Sequence, residues 1–456
     1  MKPMKKIFCT MMALLLLFAV TACSSSPASP SDNAPPSNTQ NEATKSPDNT
    51  PSNEPVTIRF FTNVPDRTGG LGLLEQTNMD LYMAQNENVK IEMETLQDEP
   101  YKMKLQTYMQ SDDMPDVWMQ WGSLALLYPV LQGQFAAELN AADYADYGFV
   151  PGALDSFSSD GKLYGLPKNA DFWVLYYNQK ILDDNGIAVP KSTDDLIAAA
   201  AKLKEKNISC ISLAGKDKWP TVAILQNIIL RKTGDPAVLR NAILNGNAAG
   251  NADLIDGLNE FIRLADNGVF QPSFNADDYG TSKNLFIQGQ AAMLVQGSWE
   301  MGMGSDESIS PEIRENIRAI PFPSINGWNG NVNDLAMWYG GGYSVSAKSA
   351  VKDEAIRFVS FLVSPAVYAK NAWEMQVLIP PMKYDQYLTG AENDLQKDLT
   401  NIISSATSTT GDLFNDLHTP SFKTDSENAT LEFSTKMIGA EEFLSQLDTY
   451  AKEANE

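Results

Sequence analysis

From Val56 to the end the chain alternates β-prone runs with helical periods over about 400 residues, more than a single hydrophobic core ordinarily serves. Two lobes are therefore expected. Val56-Thr57-Ile58-Arg59-Phe60-Phe61 reads as the first strand, and further strands are predicted at 89–94, 116–121, 163–166, 172–177, 208–213, 291–296 and 343–346. Helices are predicted between them, at 194–206, 219–232, 252–267, 352–362 and 440–453. The first of these has Ser192 with Asp195 three positions on, a variant of the capping box. Alternation of this kind predicts an α/β fold, and no internal repeat is visible.

The segment before Val56 has a different character. Residues 24–55 contain no Val, Ile, Leu, Met or aromatic residue, so they cannot bury enough apolar surface to offset ordering entropy. They are expected to form a disordered tether spanning roughly 30 Å root-mean-square. Upstream, Lys2, Lys5 and Lys6 precede an apolar run from Met11 to Val20 that is too short to cross a ~30 Å hydrocarbon core. Residues 1–22 thus read as a signal peptide. The run ends in Val20-Thr21-Ala22-Cys23, which resembles the bacterial lipobox and implies a lipid-bearing Cys23 at the mature N-terminus; the alternative is an ordinary cleaved signal with a chance cysteine.

Composition removes several classes of function. The 34 basic side chains face 57 acidic ones, a formal net charge of −23, and loss of residues 1–22 would remove three lysines more. Such a chain repels phosphate backbones and anionic lipid, so no nucleic-acid partner is expected. Membrane contact is expected through the N-terminal lipid alone. Cys9 and Cys23 belong to the leader and lipobox, which leaves Cys210 without an internal disulfide partner, in an alternating stretch that suits a buried strand thiol. His418 is the one histidine, beside Pro420, so neither a metal cluster nor a Ser-His-Asp triad is indicated, and no cofactor or metal is expected. The glycine loop at 69–72 does not specify a dinucleotide site, because a GxGxxG begun at Gly70 meets Glu75 in the third glycine position.

Aromatic residues gather where strands are expected to end: Trp121, Trp173, Trp299 and Trp338, flanked by Gln120, Asp171 and Glu300. An indole face suits the C–H face of a sugar ring, while carboxylates and amides bond the hydroxyls around its edge. Core packing is the competing role for each tryptophan. Asp66 and Arg67, after the first strand, either hold ligand hydroxyls or pair with each other.

Four stretches carry a family resemblance. They are Pro115-Asp116-Val117-Trp118-Met119-Gln120-Trp121; Gly161-Lys162-Leu163-Tyr164-Gly165-Leu166-Pro167 with Asp171 and Leu175-Tyr176-Tyr177-Asn178-Gln179; Phe286-Ile287-Gln288-Gly289-Gln290-Ala291-Ala292-Met293 with Gly297-Ser298-Trp299; and Trp338-Tyr339-Gly340-Gly341-Gly342-Tyr343-Ser344-Val345 with Ile379-Pro380-Pro381. In this order residues 56–456 resemble the extracellular solute-binding proteins of family 1, sugar-binding components of ABC importers. The resemblance implies a two-lobed periplasmic-binding-protein fold, class II-like, with a hinge of about three crossings, placed near Asn169–Asp171, Gly340–Gly342 and Leu378–Pro381. Lobe one is then 56–168 plus 343–378, and lobe two 171–339 plus 382–456. The glycine run would absorb backbone change as the lobes close. The ligand-binding set it suggests is Trp299, stacking on a sugar, and Asp171, accepting hydroxyls, with Trp338, Trp121, Trp173, Asp66, Arg67, Gln120 and Gly340 around them. Residues 216–219 depart from the tyrosine-bearing stretch of maltodextrin binders.

The resemblance implies a monomer, not an enzyme, with a sugar or oligosaccharide as ligand and membrane permease subunits as partners, on the extracytoplasmic face of the cell membrane. An anionic sugar acid could bind through Arg67 or Lys168. A lipoprotein glycoside hydrolase working through paired carboxylates is the alternative, and a tethered surface scaffold is a third class.

Overall fold

The computed structural model describes residues 55–455; the leader, Cys23 and nearly all of the expected tether lie outside them. Two sheets organise the rest. In the first, strands Val56–Thr62 and Val89–Thr95 run parallel through the crossover helix Gly70–Gln85, and Val117–Trp121 adds on the other side of Val56–Thr62, also parallel. The sheet is completed from far along the chain by Gly341–Val345, antiparallel to Val117–Trp121, with Leu166–Pro167 beyond it. Alternation along the strand sends Ile58 and Phe60 to one face and Phe61 to the other. Phe60 meets Phe358 of helix Lys352–Leu362 edge-on at 5.6 Å, while Phe61 stacks on Tyr101 at 4.2 Å.

The second sheet centres on Asp171–Asn178, in which every residue is buried. Its period of two feeds two cores: Trp173, Leu175 and Tyr177 face Leu196, Leu203 and Val222, whereas Phe172, Val174 and Tyr176 face Phe286, Leu294 and Leu399. Ile317–Ile320 and Ala291–Gly297 flank it in antiparallel sense, and Ser209–Ser212 pairs with Ala291–Gly297 in parallel. Cys210 is buried in that last strand, its thiol pushed up to about 12 by burial. Helix Thr193–Lys204 begins with the capping box, Ser192 Oγ accepting from Asp195 N at 3.2 Å and Asp195 Oδ2 from Ser192 N at 3.0 Å. The helices Pro420–Ser434 and Ala440–Asn455 close the same core through Phe422, Phe433, Phe443 and Leu447.

The chain thus forms two α/β lobes. It passes between the sheets at 168–170 and again at 339–340. Gly341 and Gly342, expected within a crossing, are instead paired strand residues. A Cβ on Gly342 would lie 2.4 Å from Leu166 O, so close strand approach, not hinge freedom, demands glycine there. The expected third passage, Leu378–Pro381, touches both lobes, since Ile379 packs with Phe172 and Leu395 of the second-lobe core. Leu378 and Met382 pack with Leu74 and Tyr368, and Lys383 N donates to Gly148 O at 3.0 Å, which holds this segment to the first lobe.

Candidate ligand cleft

The strand ladders bring Asp171, Trp299 and Trp338 to one end of the second sheet, since Trp338 pairs opposite Asp171 and Gly297 opposite Trp173. That end faces the first lobe across a cavity of about 500 Å³. The first lobe contributes the loop 63–66, Asp98 and Lys102 from helix Asp98–Ser111, and Met119 and Trp121 at the end of their strand. The second contributes Asp171, Trp219, Tyr279, Lys283, Trp299, Glu300 and Trp338. Trp121, Trp299 and Trp338 thus lie at or just beyond the carboxyl ends of their strands, where open α/β sheets bind ligands, while Asp171 opens an antiparallel strand beside them.

Four indoles interlock on the second lobe. Trp173, 1% exposed, is the foundation: Trp299 meets it edge-on at 5.7 Å, Trp219 lies at 5.8 Å and Trp338 at 6.4 Å. Glycines two positions away make room for the outer rings. A Cβ on Gly297 would fall 2.0 Å from Trp299 Cζ3, and one on Gly340 would fall 2.2 Å from Trp338 Nε1. The Trp299 ring is then fixed by a polar relay. Its Nε1 donates to Tyr279 Oη at 2.9 Å, Tyr279 donates to Glu300, and Lys283 Nζ pairs with Glu300 at 2.7 Å. Burial first, then the Glu300 charge, raises the Tyr279 phenol well above its ordinary range, so it stays a donor.

Across the cleft, Asp98 Oδ2 accepts from Trp219 Nε1 at 2.8 Å, a bond between lobes. The Lys102 ammonium lies 5.2 Å from the Trp121 ring centre and 5.9 Å from that of Trp219. At the sheet end, Asp171 is 5% exposed, and its carboxyl is pushed up to about 7. Burial is the cause, only partly countered by hydrogen bonds from Asn169 and the Gly341 backbone and by the Lys168 charge. Asn169 also lines the cavity, and its Oδ1 has no partner among the described residues.

Of the residues singled out in the sequence, Trp299, Asp171, Trp338, Trp121, Asp66, Glu300 and Lys168 line the cavity together. Asp66 bonds Thr68 N and Oγ1 at 2.9 and 2.7 Å, which lowers its carboxyl, and it does not pair with Arg67. Four others are placed elsewhere. Arg67 turns inward to Glu75 at 2.7 Å, because that carboxylate is buried and needs charge. Gln120 is fully buried, accepting from Trp118 Nε1 and donating to Trp121 O and Leu126 O. Trp173 supports the other indoles from beneath, and Gly340 lies behind the Trp338 ring. His418 is buried too, its Nε2 3.3 Å from Ile243 O. Sequence reasoning missed Trp219, Tyr279, Lys283, Asp98 and Lys102. Trp219 carried a signal, a tryptophan followed by Pro220 at a helix start.

Glu75 ties the first-lobe wall together. It accepts from Thr62 Oγ1 at 2.9 Å, Tyr343 Oη at 2.7 Å, Arg67 at 2.7 Å and Lys168 Nζ at 3.3 Å. Burial raises its carboxyl, but Lys168 and Arg67 outweigh that and leave it lowered. Lys168 is thereby committed to a structural pair.

Comparison with known proteins agrees with this architecture. The multiple sugar-binding protein of Streptococcus mutans is 22% identical over 331 residues, 69% of this chain and 73% of the relative. The melibiose/raffinose/stachyose-binding protein MelE of Bacillus subtilis is 27% identical over 281 residues, 58% of this chain and 61% of the relative. A solved structure from work on xylan utilization by Caldanaerobius polysaccharolyticus superposes with a TM-score of 0.77 at 25% identity, covering 86% of this chain and 99% of the other. Residues 72–369 match the family described as bacterial extracellular solute-binding protein, and with two lobes facing each other across an aromatic cleft this chain belongs to that family.

Proposed function

We propose that the chain captures a sugar or oligosaccharide in the interlobe cleft and delivers it unaltered to the permease subunits of an ABC importer. The observation that carries this reading is the group of cavity-lining indoles, Trp299, Trp338 and Trp219 facing Trp121 and Lys102, rimmed by carboxylates and by the unpartnered Asn169 Oδ1. Indole faces accept the apolar faces of pyranose rings, and the rim accepts their hydroxyls. The names of the Streptococcus and Bacillus relatives, both sugar binders, point the same way. Closure needs no bond chemistry: ligand shifts an open-closed equilibrium by its differential affinity for the closed form. The chain acts as a monomer, held at the extracytoplasmic face of the cell membrane by lipid on Cys23, where each buried CH₂ contributes about 0.8 kcal/mol.

Titration calorimetry against a panel of neutral mono- and oligosaccharides tests the reading, with Trp299→Ala as control. Loss of a stacked ring is expected to weaken binding at least tenfold, about 1.4 kcal/mol. Binding unaffected by Trp299→Ala would remove the indoles from the site. Anchoring is tested separately by the mass of the mature N-terminus, with Cys23→Ala as the variant expected to lose lipid.

One observation favours a second reading. A carboxyl pushed up to about 7, as in Asp171, is suited to protonating a glycosidic oxygen. Hydrolysis also needs a second, ionised carboxylate on the other side of the bond, and Glu300 is occupied by Lys283 and Tyr279. Release of shortened product from labelled oligosaccharides would establish that reading; an intact ligand recovered after incubation is expected.

A further inference from the structure

The charges on the cavity wall decide which class of saccharide the cleft admits, given the sugar-binding reading above. Four lysines line it, and each ammonium is already committed. Lys102 lies 3.1 Å from Asp98 and 2.5 Å from Glu99. Lys168 lies 3.3 Å from Glu75, and Lys283 lies 2.7 Å from Glu300. Lys423 lies 2.8 Å from Asp416 and 2.7 Å from Glu427. Arg67 is behind the wall on Glu75.

The acceptors are in the opposite state. Asp66, Asp171 and Asp306 line the same cavity without an ion pair among the described residues, held only by uncharged donors such as Thr68 on Asp66 and Ser308 on Asp306, and Asn169 Oδ1 has no donor. A ligand hydroxyl or ammonium entering this space finds acceptors waiting. A ligand carboxylate would have to shed its water beside other carboxylates, and could recruit a lysine only by competing with an ion pair already formed.

We infer that the cleft selects uncharged saccharides and, among charged ones, admits an amino sugar before a uronic acid. The selection rests on pairing and not on the net charge of the chain, so it is local and open to reversal by a single substitution. Removing the Glu300 charge breaks the Lys283 ion pair, so its ammonium answers only to the more distant charges of Asp306 and Asp66 and can be drawn to a ligand anion.

The test is calorimetry at pH 7.5 and constant ionic strength with matched probes: xylotriose against its glucuronic acid-substituted form, and chitotriose against its deacetylated amine form. The neutral probe that binds is expected to exceed its uronate counterpart by at least about tenfold, and the amine to fall within about tenfold of its neutral form. Glu300→Gln, with a thermal melt to confirm folding, is expected to narrow the neutral-to-uronate ratio by about tenfold. A uronate bound as tightly as its neutral partner by the unaltered protein overturns the charge inference and leaves the sugar reading intact. An unchanged ratio in a folded Glu300→Gln protein overturns the role given to paired lysines. If raffinose, xylotriose and chitotriose all fail to bind, the sugar reading itself falls, and this inference with it.

Discussion

Asp171→Asn isolates the cost of burying one carboxyl at the rim of the cleft. The Asp171 carboxyl rises from 3.8 to about 7 because burial disfavours its charged form, and Asn169, Lys168 and Gly341 recover only part of that. Between those two pH values the folded chain holds a proton that the unfolded chain has released. Stability contributed by the neutral carboxyl is therefore lost as pH rises through this window. Worked from these values, ionisation of Asp171 removes about 3 kcal/mol of folding free energy between pH 5 and pH 8. Asparagine has the same shape and no charge, so the variant escapes this loss. Asp217 and Asp412, each pushed up to about 6 by burial, drift in the same direction in both proteins and cancel in the difference. Urea unfolding followed by tryptophan fluorescence at pH 5, 6, 7 and 8 measures the two profiles. The variant is expected to gain on the parent steadily from pH 5 to pH 8, by up to about 3 kcal/mol. Parallel profiles would show that Asp171 is well solvated or already paired, and the reasoning from burial would fail.

Two further outcomes test the scaffolding of the site. Glu75→Gln leaves Lys168 and Arg67 facing a neutral amide inside the first lobe, and is expected to cost about 3–5 kcal/mol in urea unfolding; a loss under 1 kcal/mol would mean that those cations find other partners. Gly297→Ala puts a methyl group where the Trp299 ring lies, 2.0 Å from Cζ3, so sugar affinity is expected to fall about as far as in Trp299→Ala, by calorimetry. Binding retained in full would show that the ring can take another rotamer without loss.

Much of the fold could be read from the residues because local chemistry and tertiary demand agree there. Phe172–Tyr177 is an unbroken aromatic and aliphatic run and is buried on both faces, so pattern and environment coincide. Ser192 and Asp195 formed the predicted cap, and Lys352–Leu362 matched its predicted span. Helix Tyr279–Ile287 was harder to see, since only Ser282 and Phe286 along it are buried. Trp219, Tyr279 and Lys283 enter the site by convergence of separate elements, which no single stretch reveals. Gln120 is a different case, because strand alternation held the answer. Met119 and Trp121 face the cavity, so Gln120 must face away, where it satisfies the buried Trp118 indole. Gly297 and Gly340 were similarly legible. Each lies two positions from a tryptophan, and the space that a missing side chain leaves is filled by that neighbour's ring. Such glycines mark the orientation of a stacking surface, which makes the Gly-x-Trp and Trp-x-Gly spacings evidence about the cleft, even where, as at Gly340, the chain is also passing between lobes.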